Sequence, residues 1–210
     1  MSFDEYYKKF EQMQGFIVND LMRSTVYGRA NFLVAMGAFN YMEQLGAFLF
    51  TQKGDRNEKR FMYVFGGHKV DEQGNLIYGP FEGLLGIPYV NVRHMLSKIT
   101  PKSPYDVFRC GLTHEYLLKT HNPNPGVSVL FQIVGADSAL SYSHIVTSRD
   151  CGIEITETDV GIFTIKIWNP RLIHDLNGAF NRYKDDLLKF EGLRSAFMKR
   201  CDEVEFGIFS

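Results

Sequence analysis

The sequence predicts an α+β fold, mainly a helical bundle, with a small antiparallel β block inserted before the last helix. Apolar residues recur at helical spacing through much of residues 1–120, alternate with a period of two between 127 and 168, and return to helical spacing after 169. Helices and strands therefore occupy separate parts of the chain, unlike the alternating order of a parallel βαβ protein. We expect a single domain, 1–210, with the bundle at 1–120 and 169–205 and the β insertion at 127–168.

Two helices are expected at the beginning of the chain. The first covers residues 4–22, where apolar residues recur every three or four positions: Tyr6, Phe10, Met13, Ile17 and Leu21. Ser24 and Thr25 are candidate caps for a second helix that runs to about residue 50. This second helix is apolar on nearly every face, which is typical of a central position in a bundle.

The segment from residue 52 to residue 100 carries weaker signals. A polar connector is expected at 52–57. Two short apolar runs, 69–70 and 76–78, flank the polar sequence Asp-Glu-Gln-Gly-Asn, which indicates either a hairpin or a long loop. A short helix is expected near residues 90–99.

The next helix has the clearest start signal in the chain. Ser103 suits the N-cap, Pro104 suits the first helical position, and Asp106 completes a capping box with Ser103. We expect the helix to run to about residue 119. It then has to end before Pro123, because a proline within the helix would remove a backbone hydrogen bond.

Short strands and a last helix complete the prediction. Three or four antiparallel strands are expected from alternating apolar residues, among them Val127, Val129, Phe131, Ile133, Ile153, Ile155, Phe163, Ile165 and Ile167. Asn169 and Pro170 repeat the cap-then-proline start and begin a last helix. Its apolar stripe consists of Leu172, Leu176, Phe180, Tyr183, Leu187 and Phe190.

Composition argues against several functional classes. The net charge of −1 is not that of a dedicated electrostatic binder of nucleic acid or anionic membranes, although a local basic site is compatible with it. Three widely separated cysteines without a CxxC pair fit a reducing compartment. The N-terminus has acids where a signal peptide needs a basic flank, and polar residues interrupt the most apolar stretch, 30–50. We therefore expect a cytoplasmic protein without a membrane segment.

The predicted helix after Ser103 carries Arg109-Cys-Gly-Leu-Thr-His114, an arginine and a histidine separated by four residues. This arrangement resembles the RxxxxH motif of the HEPN superfamily, small helical-bundle proteins that include many metal-independent ribonucleases. The likeness covers about residues 1–120 and the last helix. It implies that RNA is a partner, that no cofactor is needed, and that two copies of the motif meet in a homodimer.

The two motif residues have the chemistry that such cleavage requires. Ribonucleases without a metal use the 2′-hydroxyl of the RNA as the nucleophile. His114 has a side chain that titrates near neutrality and suits general acid/base catalysis. Arg109 carries a permanent charge that can contact two phosphate oxygens. A metal site is not expected, because His114 and His121 are seven residues apart and the spacing indicates no third ligand.

Four further residues are candidates for support of this site. Asn40 and Glu43 lie on one face of the otherwise apolar second helix, and Glu43 is the acid expected to meet Arg109. Thr113 and Tyr116 flank His114. On an α-helix, five steps of roughly 100° would leave the side chains of the arginine and the histidine about 140° apart.

A second interpretation assigns the same residues a structural role. Arg109 then forms an ion pair with Asp106 or Glu43, and His114 is a buried histidine bonded to a backbone carbonyl. The protein would be a catalytically inactive helical module for binding or dimerisation. Both interpretations predict contact between Arg109 and Glu43, so the exposure of Arg109 and His114 separates them.

Overall fold

The computed structural model describes residues 1–28, 30–48, 57–71, 76–78, 81–115, 124–136 and 139–203. It confirms the α+β class, with helices forming most of the described chain and a small sheet inserted ahead of the final helices. None of the described helices combines the length and apolar character needed to cross a bilayer.

Helix α1, Phe3–Val26, confirms the first predicted helix and extends it at both ends. Ser2 and Glu5 form a reciprocal capping box that satisfies two backbone N–H groups at the N-terminus. The predicted stripe from Tyr6 to Leu21 is buried in the core.

Helix α2, Asn31–Ala47, begins later than predicted. Ser24 and Thr25 lie within α1 instead of capping α2, because α1 continues until the N–H of Tyr27 donates to the carbonyl of Arg23. Thr25 is fully buried there, so tertiary packing has overridden a local cap signal. Residues 49 and 50, the end of the predicted helix, lie outside the described residues.

Helix α3, Asn57–Phe65, occupies a segment for which no helix was predicted. It packs closely on α2 at Gly46, where a Cβ atom would lie 2.0 Å from the carbonyl oxygen of Arg60. Residues 52–56 of the expected connector lie outside the described residues.

Strands β1, His68–Val70, and β2, Leu76–Tyr78, pair antiparallel. The hairpin interpretation of this region is thus confirmed and the long-loop alternative is wrong. Helix α4, Ile87–Ile99, confirms the short helix expected near residues 90–99 and starts earlier, because Gly86 in a positive-φ conformation ends the preceding turn and Pro88 lies in the first helical turn.

The inserted sheet consists of β3, Ser128–Val134, β4, Ile153–Asp159, and β5, Ile162–Trp168, in the order β3-β5-β4. β4 and β5 form an antiparallel hairpin, whereas β3 pairs parallel to β5. The sheet is therefore mixed where all-antiparallel pairing was expected. The physical reason is helix α5, Ala139–Ser148, which lies between β3 and β4 and makes the connection long enough for a parallel arrangement.

Helices α6, Asn169–Lys189, and α7, Glu191–Glu203, follow the sheet. Five of the six residues in the predicted apolar stripe of α6 are buried, and Phe190 is partly buried after its C-terminus. Phe163 and Ile165 of the sheet belong to the same buried cluster as Phe39 and Leu176 of the helices. The sheet and the helices therefore share one core.

Candidate site on the motif helix

The segment with the arginine and the histidine is a π-helix, Tyr105–Glu115, which we call the motif helix. Its predicted start is confirmed. The backbone N–H of Asp106 donates to the hydroxyl of Ser103, and this hydroxyl donates to the Asp106 carboxylate, both at 3.3 Å. Local sequence thus determines where the helix begins.

The π-helical backbone changes the relation between the two motif positions. In a π-helix the N–H of residue i+5 donates to the carbonyl of residue i, so residues five apart lie on adjacent turns of the helix. Positions 109 and 114 are five apart, and the separation of about 140° that was expected for an α-helix is therefore wrong. The backbone therefore places the two positions on adjacent turns, closer around the axis than in an α-helix.

Apolar side chains fix the motif helix to α2 and α3. Phe108 is fully buried, and its ring stacks on Phe39 of α2 at 5.3 Å and on Phe65 of α3 at 5.8 Å between centroids. Val107 and Leu112 are also fully buried. Since Phe108 immediately precedes Arg109, the aromatic stack sets the position of the arginine backbone.

Arg109 forms an ion pair with Glu43 of α2, with Nε 2.5 Å from Oε2. The side chain of Arg109 is 17% exposed and that of Glu43 is 7% exposed. The contact is ionic without a well-aligned hydrogen bond between these two atoms. Of the two acids considered from the sequence, the structure pairs Arg109 with Glu43, and this contact was expected under both interpretations.

Tyr105 borders this ion pair at the start of the motif helix. Burial raises its pKa to about 12, and a hydrogen bond with Cys110 and the charge of Glu43 act in the same direction. The Tyr105 hydroxyl is therefore a weaker acid than that of an ordinary tyrosine. Sequence reasoning did not select this residue.

The remaining predicted site residues are placed to different extents. Asn40 is half-buried and lies three residues before Glu43 on α2. The backbones of Thr113 and His114 belong to the motif helix, but their side chains lie outside the described part of the chain. Tyr116 lies outside the described residues altogether. The structure therefore brings Arg109, Glu43 and Asn40 to one region and leaves the contribution of the other three as a prediction.

A second polar region, not predicted from the sequence, centres on Asp175 of α6. Its carboxylate accepts hydrogen bonds from the Tyr89 hydroxyl at 2.9 Å, the backbone N–H of Gly152 at 2.8 Å, and Arg171 Nε at 2.7 Å. Burial raises the pKa of Asp175, which these donors oppose. The i, i+4 spacing of Arg171 and Asp175 is the one signal in the sequence that could have indicated this cluster.

A cleft of about 630 Å³ adjoins the Asp175 cluster between α4, β4 and the start of α6. Both arginines that line the cleft form ion pairs, Arg171 with Asp175 and Arg149 with Glu154 at 3.3 Å. The guanidinium of Arg149 also lies 4.0 Å from the centre of the Trp168 ring. These charges balance one another. The hydrogen bonds of Asp175 connect α6 with α4 and with Gly152, the residue before β4, so the cluster has a structural role.

Metal binding finds no support in the described part of the chain, where no three His, Cys, Asp or Glu side chains are grouped to hold an ion. Comparison of the chain with protein-family models, curated proteins and solved structures found no match.

Proposed function

We propose that this protein is a HEPN-like, metal-independent endoribonuclease in which His114 is the general acid/base and Arg109 contacts the phosphate. The observation that carries the proposal is the π-helical motif helix, whose i to i+5 register places positions 109 and 114 on adjacent turns. Short π-helical turns inside α-helices are frequent at functional sites, and the motif helix extends this departure over eleven residues.

The proposed reaction needs only the RNA and these side chains. His114 removes the proton of a 2′-hydroxyl, whose oxygen attacks the adjacent phosphorus. The bond from phosphorus to the 5′-oxygen breaks, and the leaving oxygen takes a proton from the imidazolium. The products are a 2′,3′-cyclic phosphate and a 5′-hydroxyl. Arg109 stabilises the additional negative charge on the phosphorus oxygens in the transition state.

Glu43 has a positioning role in this proposal. Its carboxylate faces Nε of Arg109, so the two Nη groups are the donors that a phosphate takes. In this proposal the phosphate reaches Arg109 through the 17% of its side chain that is exposed. Asn40, Thr113 and Tyr116 are proposed as supporting residues around the same phosphate.

The proposed partners are single-stranded RNA and a second copy of the chain, with the cytoplasm as the compartment. Three cysteines without disulfides, Cys110, Cys151 and Cys201, support a reducing environment.

The test is cleavage of single-stranded RNA by the purified protein with a chelator present. We expect cyclic phosphate ends, and a rate at least about 100-fold lower for His114→Ala, since general acid/base catalysis contributes on this scale. His174→Ala is the matched control, because His174 is exposed on α6, and it should cleave like the wild type. Wild-type protein that cleaves no faster than His114→Ala would refute the proposal.

A second candidate function is a catalytically inactive binding or dimerisation module. The low exposure of Arg109 and its ion pair with the buried Glu43 favour it, since a buried charge needs such a partner. It predicts no RNA cleavage by any variant. Cleavage that His114→Ala abolishes, while the thermal stability of the variant stays at the wild-type level, would exclude it.

A further inference from the structure

A pocket of about 300 Å³ lies between the end of α3, strand β1, the segment 81–84 and α6. It shares no lining residue with the motif helix or with the cleft beside Asp175. Pockets for small ligands begin at about this volume. Two aromatic rings, two carboxylates and one ammonium line it, from Tyr63, Phe81, Glu82, Asp186 and Lys69.

Backbone contacts fix the walls of this pocket. The N–H of Gly67 donates to the carbonyl of Phe81 at 2.9 Å, and the N–H of Leu84 donates to the carbonyl of Tyr63 at 3.3 Å. Gly83 has a φ of +66°, and a Cβ atom there would lie 2.7 Å from the same Tyr63 carbonyl. The segment 81–84 is therefore held tightly against the end of α3. A ligand would meet a pocket that is already formed, which reduces the entropy lost on binding.

The ring of Phe81 holds a cation within the chain. Nζ of Lys69 lies 4.5 Å from the centre of this ring. The face of an aromatic ring carries partial negative charge and attracts ammonium groups, including those of ligands. Lys69 is exposed, so its ammonium can return to water when another ammonium takes its place. This contact shows the kind of chemical group that the pocket accepts.

Asp186 provides a negative charge that no partner compensates in the described part of the chain. Its carboxylate is half-buried, and no described residue donates a hydrogen bond to it or forms an ion pair with it. Burial raises the pKa of Asp186, whereas the charge of Lys189 lowers it. Burial also raises the pKa of Tyr63, and the charge of Asp186 acts in the same direction, as expected for neighbours in one wall. A cation in the pocket would stabilise the ionised carboxylate.

We propose that this pocket binds a small organic ammonium cation, whose charged group lies between the face of Phe81 and the carboxylate of Asp186. Charge selects this ligand class. Glu82 and Asp186 carry two negative charges against the single positive charge of Lys69, so an anion would meet an excess of like charge. The apolar surface of Phe81 and Leu84 suits an alkyl chain, which an inorganic cation would leave uncovered. This inference does not rest on ribonuclease activity.

The probe is butylammonium, which has the ammonium group and the alkyl chain of a lysine side chain. Titration of the isotope-labelled protein is followed by nuclear magnetic resonance at pH 7 and constant ionic strength. The backbone amides of Gly83 and Leu84 should shift and reach saturation. Butan-1-ol has the same chain without the charge, and it should cause no saturable shift at equal concentrations.

Asp186→Asn should weaken the binding of butylammonium by about tenfold, because hydrogen bonds to a charged group contribute on this scale. Asp185→Asn is the matched control. It removes the same charge from the preceding residue, which is exposed and does not line the pocket, so the affinity should stay at the wild-type value. Circular dichroism checks that each variant is folded.

Lys69→Met should bind butylammonium more tightly than the wild type. This substitution uncovers the ring of Phe81 and removes a like charge from the pocket. A wild type without saturable shifts, or with the same response to butan-1-ol, would overturn the proposal. So would an equal loss of affinity in Asp185→Asn and Asp186→Asn, and so would a Lys69→Met variant that binds no more tightly.

Discussion

Arg109 Nε lies 2.5 Å from Glu43 Oε2, and this ion pair joins the motif helix to α2 at a point where both side chains are largely buried. Breaking and replacing such a pair have different consequences. Removing one partner leaves a charge without compensation in a poorly hydrated place, whereas replacing both with apolar residues removes the need for compensation.

Glu43→Leu and Arg109→Met should each lower the free energy of unfolding by about 1–3 kcal/mol, since each leaves the other charge without its partner. The double variant should be more stable than the sum of the two losses implies, by at least about 0.5 kcal/mol. Urea denaturation measures the four proteins of this cycle. Glu11→Leu and Lys184→Met break a pair at 3.2 Å whose carboxylate, that of Glu11, is 48% exposed, so this pair should couple more weakly. Additive losses at Glu43 and Arg109 would show that the pair contributes nothing to folding.

Asp175→Asn should reveal a pH dependence that originates from burial. The folded pKa of Asp175 lies above its ordinary value of 3.8. Between pH 3.8 and the folded pKa, the carboxyl of Asp175 keeps its proton in the folded state and has released it in the unfolded state. The free energy of unfolding therefore falls as pH rises through this window. The difference in free energy of unfolding, wild type minus Asp175→Asn, should therefore fall as pH increases above 3.8.

Denaturant titrations over this pH range measure the difference. Tyr89→Phe removes a donor that lowers the Asp175 pKa, so the fall should then extend to higher pH. A difference that rises with pH would contradict burial as the dominant cause.

Gly46→Ala should destabilise the protein by at least about 1–3 kcal/mol, because the new methyl group would overlap the carbonyl of Arg60 and force α2 away from α3. Gly15→Ala is the matched control in another helix. A Cβ atom there meets no atom within 4 Å, so this variant should gain about 0.5–1 kcal/mol from helix propensity. Thermal unfolding of both variants tests the α2–α3 contact, and equal melting temperatures would contradict it.

Cys151 and Cys201 should resist alkylation in the native protein. Burial raises the pKa of Cys151 to about 11 and that of Cys201 to about 12. At pH 8 only about one thiol in a thousand at Cys151 is then the reactive thiolate. Iodoacetamide treatment followed by peptide mass spectrometry should find both unmodified until denaturant is added. Rapid native modification of Cys151, which lines the cleft, would show that its thiol is hydrated.

Elements with a strong local signal were predicted well. The amphipathic stripe of α1, the cap of Ser103 and the proline at the start of α6 each act within one or two helical turns, so neighbouring residues suffice to identify them. α3 and α5 were not predicted as helices. Thr25 has a residue type suited to capping, yet it is buried in α1, because its packing partners are distant in the chain.

The sequence by itself determined the α+β class and the start of the motif helix, because periodicity and caps are local properties. It left Asp106 and Glu43 as alternative partners of Arg109, and the tertiary structure selected Glu43. Only the tertiary structure decided that β3 runs parallel to β5 and that Tyr89, Gly152 and Asp175 meet. It also decided that the motif helix is a π-helix. An α-helix and a π-helix differ by one residue in hydrogen-bond register. Packing of the motif helix on α2 and α3 can select one of the two registers, whereas residue type alone cannot.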